Sequence, residues 1–349
     1  MNKISIAMTH WYKTQNYNFP WRNNTDVYSI WISEIMLQQT QVKTARSYFI
    51  SWMKKFPTVR DLSHSNIDDV LKSWEGLGYY QRAHNIFFTA QVVQNKFNGV
   101  FPKTYNELIE LKGIGDYTAS AIMSIAYNKP YPAIDGNLKR VIARIYGISD
   151  FKNIIKDSKK YIARLMDKHN SSIINQSLMD LGRVVCLPKN PKCSICPVKQ
   201  FCKGFYNQSI EKYSFKKKSK QYPTFDVSVG LIINNDKILI SKRKKNGLLG
   251  GLWELPGGKL QKKESFKQCL KREILEELDV KVKIISKIGI VKHKYSHFGI
   301  NMYGFKCTIE SGIPKPLVSD GIKWINFDKI NNYAFPKATL KLFDLVNDD

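Results

Sequence analysis

The spacing of hydrophobic residues divides the chain into two parts. In the first part, apolar residues recur every three or four positions, as in the stretch 27–37, which is typical of amphipathic or buried helices. From Phe225 onward the pattern changes to short runs rich in β-branched residues. The segment FDVSVGLIINNDKILISKRK predicts two strands joined by a turn at 234–236. We therefore predict a helical N-terminal part and an α/β C-terminal part.

A glycine-rich turn lies at the centre of the helical part. The stretch LKGIGDYTASAIMSIAY predicts the end of one helix, a tight turn with Gly113 and Gly115, and a second helix over 117–127. Asp116 stands where an N-cap would begin that helix. Backbone N–H groups at such a start form a phosphate site, although an ordinary helical hairpin has the same pattern.

Two carboxylates have unusual surroundings. Glu34 is flanked at helical spacing by apolar residues, and burial would raise its pKa, as a general acid requires. Asp135 precedes a predicted helix over 136–146, whose dipole and N–H groups would keep it ionised. We therefore expect the two pKa values to be driven in opposite directions. The plainer alternatives are a surface glutamate and a simple N-cap.

Four cysteines lie within a short segment. Their spacing is C-x(6)-C-x(2)-C-x(5)-C, and four thiolates so placed bind either zinc or an iron–sulfur cluster. The ligands would be Cys186, Cys193, Cys196 and Cys202. The isolated Cys269 and Cys307 are interpreted as core or surface thiols.

Composition limits the partners. The 349 residues carry a formal net charge of +26, which suits a polyanion such as DNA or an anionic membrane surface. No apolar run is long enough to span a membrane, and the N-terminus lacks a signal-peptide core. We expect a cytoplasmic protein. The polar, basic stretch 203–224 is the predicted boundary between domains.

The C-terminal part contains a nearly complete Nudix box, G-x(5)-E-x(7)-R-E-U-x-E-E-x-G-U. Asp279 replaces the last glycine of the pattern. Three of its carboxylates share a helix face and could hold Mg²⁺ beside a diphosphate, although a solvated acidic helix has the same pattern. The matching residues are Gly258, Glu264, Arg272, Glu273, Ile274, Glu276, Glu277 and Val280.

These segments together resemble the adenine DNA glycosylases of the MutY family, in the endonuclease III superfamily. The resemblance rests on LKGIGDYTASA, IDGNLKRVIARI, LQQTQV, the cysteine loop and VKHKYSHFGI, and it covers nearly the whole chain. It implies a multidomain fold in which an all-α helix-hairpin-helix glycosylase (1–202) is followed by a linker (203–224) and an α/β Nudix-like domain (225–349).

The resemblance also implies roles for individual residues. Glu34 would protonate adenine and Asp135 would stabilise or capture the cationic sugar, while the four cysteines would hold a [4Fe–4S] cluster. Tyr17 departs from an arginine that the family often carries. The residues implied to contact DNA or substrate are Arg22 beside Trp21, Gln39, Tyr79, Gly113, Gly115, Tyr117, Asn137, Tyr295, Ser296 and His297.

The implied activity is excision of adenine paired with 8-oxoguanine or guanine in double-stranded DNA. Tyr117 replaces the lysine with which endonuclease III-type enzymes form a Schiff base, so strand cleavage is not expected. We expect a monomer without membrane association, located with the nucleoid. Two alternatives are an endonuclease III-type glycosylase/lyase and an added Mg-dependent hydrolase activity on 8-oxo-dGTP.

Overall fold

The computed structural model describes residues 2–15, 17–22, 24–167, 170–213 and 222–347. The chain forms two compact units, one comprising 1–64 and 85–218, the other 65–84 and 219–349. The segment 65–84, which the sequence places in the helical domain, therefore belongs with the C-terminal unit. In the described ranges, no helix combines the length and the apolar character needed to cross a membrane.

The first unit is helical, as predicted. Helix α6 starts in the second unit and continues into the first, and α5 lies in the second. The helices up to the cysteine loop are α1 (Lys3–Thr14), α2 (Val27–Leu37), α3 (Val42–Lys55), α4 (Val59–His64), α5 (Ile67–Ser73), α6 (Gln81–Phe97), α7 (Tyr105–Glu110), α8 (Asp116–Ile125), α9 (Gly136–Tyr146), α10 (Ile154–Ala163) and α11 (Ser171–Val184).

Helix α2 is buried all round. Asp26 caps its N-terminus by accepting a hydrogen bond from Ser29 N at 2.8 Å, and every side chain over 28–36 is buried. A helix that is apolar on all faces must lie inside the fold, so Glu34 is held within the protein by its neighbours. A second core is shared by α1, α9, α10 and α11.

One prediction about a helix boundary is corrected. Gly115, with φ −88°, occupies the N-cap of α8, and Asp116 is the first helical residue. The Asp116 carboxylate instead accepts hydrogen bonds from Tyr105 and from Lys159, the latter at 2.8 Å, so the N-cap prediction is wrong. The stretch 151–185 contains two helices, α10 and α11.

The first part of the predicted linker, 203–224, has regular secondary structure. Helix α12 (Lys203–Tyr206) and a 3₁₀ turn (Ile210–Tyr213) follow the last cysteine. Gly204 lies against the Arg144 backbone of α9, so close that a Cβ there would come within 3.1 Å of the Arg144 carbonyl. The most basic stretch, 214–221, lies outside the described residues.

The second unit is a mixed β-sheet between two helices. Strand order is β3-β2-β1-β6-β5, with β4 paired to β1 and β7 to β2, and β1 and β6 are parallel. The two helices are α13 (Phe266–Leu278) and α14 (Lys337–Asn347). The strands are β1 (Thr224–Asn234), β2 (Lys237–Lys242), β3 (Trp253–Glu254), β4 (Gly257–Lys259), β5 (Lys281–Lys294), β6 (Gly299–Ser311) and β7 (Gly321–Asn326).

Strand alternation builds the two cores of this unit. In β1, Leu231 faces the core that contains α14, whereas its neighbour Ile232 faces the core that contains α13. The predicted hairpin of β1 and β2 is confirmed, and Asn235 and Asp236 at its turn have φ of 44° and 61°. The predicted α/β character of the C-terminal part is confirmed.

Candidate active site

Glu34 is buried in the first unit and has a phenolic partner. The Tyr117 hydroxyl, from α8, donates a hydrogen bond to Glu34 Oε2 at 2.8 Å. Burial raises the pKa of Glu34, while the Tyr117 hydrogen bond and the Arg22 charge lower it and the Asp135 charge raises it. The expected direction for Glu34 is therefore confirmed. A carboxyl that stays protonated can donate a proton to a base.

Asp135 caps helix α9, as predicted. Its Oδ1 accepts a hydrogen bond from Leu138 N at 2.7 Å. Burial nevertheless raises the pKa of Asp135, and the backbone hydrogen bonds from Leu138 and Asn137 lower it only in part. The expectation of opposite shifts is wrong, because burial raises the pKa of both Glu34 and Asp135. The Asp135 charge is among the causes that raise the Glu34 pKa, so the fold places the two carboxylates, 101 positions apart in sequence, within electrostatic range of each other.

Arg22 belongs to a polar network that the sequence did not reveal. Its guanidinium donates to Gln176 and lies 3.3 Å from the Asp180 carboxylate, which also pairs with Arg183 at 3.2 Å. Gln176, Asp180 and Arg183 lie at i, i+4 and i+7 along α11, a polar stripe in an apolar helix that could have signalled this site.

Two aromatic rings line the same region. Trp21 is buried and packs edge-on against Phe49, with ring centroids 5.4 Å apart. At Tyr17, where the family often has arginine, the Arg183 guanidinium lies 5.0 Å from the ring centroid. A cation is therefore next to this position although Tyr17 itself is neutral.

The two residues implied to enter the base stack share a strained backbone. Gln39 and Tyr79 have φ of 59° and 50°, a left-handed conformation that such residues seldom adopt. Gln39 follows α2 and Tyr79 precedes α6. Tyr80, beside Tyr79, is buried, and its hydroxyl accepts a hydrogen bond from Gly76 N at 3.1 Å.

The hairpin turn needs glycine at one position. Gly113 has φ 84°, and a Cβ there would lie 2.7 Å from Asn85 Cβ. Gly115 has room for a side chain, so no steric clash within the protein requires glycine at this position. Thr89 Oγ1 donates to the Lys112 carbonyl at 2.7 Å and anchors the turn to α6.

Asn137, implied to support the pocket, holds a neighbouring arginine. Its Oδ1 accepts a hydrogen bond from Arg140 Nη2 at 2.9 Å, and that guanidinium also donates to the Gly182 carbonyl at 2.7 Å. Asn137 also packs closely on Gly182, because a Cβ added to Gly182 would lie 2.7 Å from Asn137 Cβ. Asn137 therefore joins α9 to α11.

The four cysteines face one cavity. Cys186, Cys193, Cys196 and Cys202 line it together with the apolar side chains of Val141, Ile145, Leu181 and Val198. Arg144 donates to Cys186 Sγ at 3.3 Å and to the Leu187 carbonyl at 2.7 Å. Free thiols that converge on an apolar space next to a guanidinium fit a thiolate-held, negatively charged cluster. Cys269 and Cys307 are both buried in the second unit.

In the Nudix box, most carboxylates are neutralised. Arg272 pairs with Glu264 at 2.8 Å, Glu273 at 2.8 Å and Glu276 at 3.0 Å. Glu277 instead accepts a hydrogen bond from Gly257 N at 3.0 Å, and burial raises its pKa to about 7. No three of the described box carboxylates are arranged to hold a metal ion.

The residues implied to read 8-oxoguanine form a turn between β5 and β6. Tyr295 N donates to the Phe298 carbonyl at 2.8 Å, and the two rings stack with centroids 4.8 Å apart. Ser296 and His297 are exposed. The His297 ring lies edge-on to Tyr79 at 6.0 Å, within the second unit. The structure thus brings a residue implied to enter the stack beside the implied 8-oxoguanine loop.

Further contacts tie the segment 65–84 to the sheet of the second unit. Lys72 Nζ donates to the Tyr333 carbonyl at 3.0 Å, Glu75 accepts from Phe335 N at 2.8 Å, and His84 Nε2 lies 2.9 Å from the Gly250 carbonyl. These contacts fix the base of the loop that carries Tyr79, and sequence spacing gave no indication of them.

Family models define the class of protein. Residues 32–183 match the HhH-GPD superfamily of base excision DNA repair proteins, 186–202 the iron-sulfur binding domain of endonuclease III, and 228–345 the NUDIX domain. The fold and site are those of a helix-hairpin-helix DNA glycosylase with a Nudix-like domain. The match at 186–202 assigns the cysteines to an iron–sulfur cluster rather than to zinc.

Relatives define the family. The chain is similar to an adenine DNA glycosylase from Buchnera aphidicola (Acyrthosiphon pisum), with 34% identity over 98% of this chain and 97% of the relative. The human adenine DNA glycosylase is 28% identical over 97% of this chain and 72% of its own. A solved thermostable thymine-DNA glycosylase matches 58% of this chain and 95% of its own at 27% identity, with a TM-score of 0.55. The chain belongs to the adenine DNA glycosylase family and is a base-excision repair enzyme.

Proposed function

We propose that this enzyme hydrolyses the N-glycosidic bond of adenine paired with 8-oxoguanine or guanine in double-stranded DNA, and leaves the backbone intact. The observation that carries the proposal is the buried Glu34–Asp135 pair beside Tyr117. The family supports the adenine substrate, and the loop over 295–297 supports the opposite base.

Glu34 is the general acid. It is held protonated by burial, and it transfers this proton to a ring nitrogen of the flipped adenine. The bond between the sugar C1′ and the base nitrogen then breaks, and its electron pair leaves with adenine. The Glu34 carboxylate that results takes a proton from water as that water adds to C1′.

Asp135 acts on the sugar. Loss of adenine leaves a cationic C1′, which an ionised carboxylate stabilises or captures, as paired carboxylates do in glycoside hydrolysis. The backbone hydrogen bonds at the start of α9 stabilise the ionised form, although burial opposes them. Asn137, next in the same turn, supports this geometry through Arg140.

The residues that distort the DNA are the two with a strained backbone, Gln39 and Tyr79. Gln39 and Tyr79 enter the stack from turns in which each residue has a left-handed backbone. The hairpin at Gly113 and Gly115 binds phosphate through backbone N–H groups, and the net charge of +26 supplies long-range attraction. Arg22 lines the adenine pocket.

Tyr117 makes the enzyme monofunctional. A phenol hydrogen-bonded to Glu34 cannot form the Schiff base that lyase chemistry requires. The nearby Lys112 ammonium lies 5.3 Å from the centroid of the Phe88 ring. This contact competes with any role of Lys112 as the amine that forms a Schiff base in place of the missing lysine. This observation disfavours the glycosylase/lyase alternative.

The cysteine cavity holds a [4Fe–4S] cluster through Cys186, Cys193, Cys196 and Cys202. When bound, the cluster would tie the cysteine loop to α9, the helix that Asp135 caps. Magnesium at Glu273, Glu276 and Glu277 remains a prediction, and such an ion would have to displace Arg272 from the first two. We also expect the enzyme to act as a monomer in the cytoplasm, at the nucleoid.

The test is a duplex with a labelled adenine strand opposite 8-oxoguanine, incubated with wild type and Glu34→Gln and analysed with and without alkali. We expect breakage only after alkali with wild type, and none with the variant. Breakage without alkali, together with borohydride trapping, would establish lyase chemistry instead. An inert wild type with an intact cluster would remove the proposed activity.

A further inference from the structure

The turn between α5 and α6 carries Tyr79 in a backbone conformation that needs support. Two consecutive residues, Gly78 and Tyr79, have φ of 73° and 50°. Glycine adopts this left-handed region freely, whereas a tyrosine stays there only when surrounding contacts hold it. The contacts that hold Tyr79 therefore decide where its ring lies before DNA is bound.

Arg82, in the first turn of α6, supplies such contacts. Its Nη2 donates to the Gly78 carbonyl at 3.1 Å and to the Leu77 carbonyl at 3.3 Å. Its backbone N–H donates to the Tyr79 carbonyl at 2.9 Å. The side chain and backbone of this one residue thus bind the carbonyl groups of three consecutive residues in the turn.

The Arg82 guanidinium also lies against two aromatic rings. Its Cζ is 5.1 Å from the centroid of the Trp74 ring and 5.7 Å from that of the Tyr79 ring. A cation within about 6 Å of a ring centroid is attracted to the ring. Trp74 is fully buried, and its Nε1 donates to the Gly78 carbonyl at 3.1 Å. Arg82 therefore links the half-buried Tyr79 ring to a fixed, buried one.

These contacts reduce the ordering that DNA binding requires. A side chain that wedges between bases must keep one position while its neighbours in the duplex unstack. If the turn moved freely in the unbound protein, its loss of conformational entropy would oppose binding. A turn that Arg82 already ties to α6 avoids that loss.

We propose that Arg82 is a positioning residue for the distortion of DNA: it holds Tyr79 in its left-handed conformation, so that the ring enters the duplex without first being ordered. This inference rests on the proposed function, in which Tyr79 enters the base stack. Because Arg82 acts through Tyr79, its effect depends on the presence of that ring.

Stopped-flow fluorescence of the full-length protein measures this distortion apart from excision. The duplex pairs adenine with 8-oxoguanine, has 2-aminopurine as the neighbouring base, and has a 2′-fluoro sugar on the adenine to prevent bond cleavage. At saturating protein, Arg82→Met should slow the fluorescence rise about tenfold, because the turn must be ordered during binding. The control Arg60→Met, which removes an exposed arginine of α4, should match wild type.

A double substitution separates positioning from other roles. Tyr79→Ala should itself slow the rise, and adding Arg82→Met should change that rate by less than about twofold, since the two residues act as one unit. A structural role, or a direct contact of Arg82 with phosphate, would instead slow the rise further in the Tyr79→Ala background, and this result would overturn the inference.

A conservative variant protects the test against misfolding. Arg82→Lys keeps the charge but loses the planar fork that reaches two carbonyls, so the rise should be about threefold slower at an unchanged melting temperature. The inference is also overturned if Arg82→Met and Arg82→Lys both distort the duplex at the wild-type rate. Failure of the proposed function is read separately, as a wild type that distorts DNA but does not excise unmodified adenine opposite 8-oxoguanine.

Discussion

Glu34 in the first unit and Glu264 in the Nudix box of the second are both glutamates, but their surroundings shift their pKa values in opposite directions. In the first unit, Glu34 is buried and its hydrogen-bond partner is a neutral phenol, so burial raises its pKa. In the second unit, Glu264 is held by the Arg272 guanidinium, which lowers its pKa to about 2. The first carboxyl can act as an acid, whereas the second remains an anion.

The partner of a carboxylate therefore decides its role more than its place in a motif. Arg272 lies within the Nudix box and engages Glu264, Glu273 and Glu276, so a nearly complete box forms an ion-paired cluster. Tyr117 lies at the position where endonuclease III-type enzymes have the lysine that forms a Schiff base. The phenol carries no charge, so burial is the main influence on the Glu34 pKa. Each prediction below changes one partner or one carboxylate in this comparison.

The largest effect is expected from Glu34→Gln. The amide is isosteric but has no acidic proton, so single-turnover adenine excision should fall by about 10³-fold or more. The rate is measured on an 8-oxoguanine duplex, with Glu310→Gln as the matched carboxylate-to-amide control. A Glu34→Gln rate within tenfold of wild type would contradict the acid role.

Asp135→Asn should have the next largest effect. Asparagine is a good N-cap, so α9 should form normally while the charge that stabilises the cationic sugar is lost. We expect excision to fall by about 10²–10³-fold, at an unchanged melting temperature. A loss of activity that matches a loss of folded protein would instead assign Asp135 a purely structural role.

Tyr117→Phe should shift a pH profile. The wild-type rate should fall on the alkaline side as Glu34 loses its proton, and on the acid side as Asp135 gains one. The Tyr117 hydrogen bond lowers the Glu34 pKa, so its removal should move the alkaline limb to higher pH. A shift to lower pH would show that the phenol stabilises the protonated form.

Arg272→Met should have the smallest effect on excision and a visible effect on stability. Three carboxylates would lose their shared cation, so we expect the unfolding free energy of the full-length protein to fall. Denaturant unfolding measures this loss. Single-turnover excision should change less than about twofold, and a larger change would show that the box acts on the glycosylase reaction.

Much of the fold was accessible from local sequence patterns. Helical periodicity located α2, the cap at Asp135 located α9, and strand alternation located β1 and β2. These features depend on neighbours within one or two turns. Asp116 was misplaced because Gly115 supplies the cap, which residue type alone did not indicate.

The parts that were missed depend on contacts distant in sequence. The Asp135 pKa is raised because burial outweighs the backbone hydrogen bonds of its cap, and burial depends on the whole fold. The Asp180 carboxylate reaches Arg22 from 158 positions away, and the contact of Lys72 with Tyr333 spans 261. No periodicity encodes such distances.

The central claim is that burial keeps the Glu34 side chain protonated at a pH where an ordinary glutamate is ionised. Infrared difference titration of wild type against Glu34→Gln isolates the carbonyl stretch of this one protonated carboxyl. The pKa of free glutamate is about 4.3. We predict a Glu34 band that persists well above that pH, and to still higher pH in Tyr117→Phe. A Glu34 band that disappears near pH 4, unaffected by the Tyr117 substitution, would contradict the account.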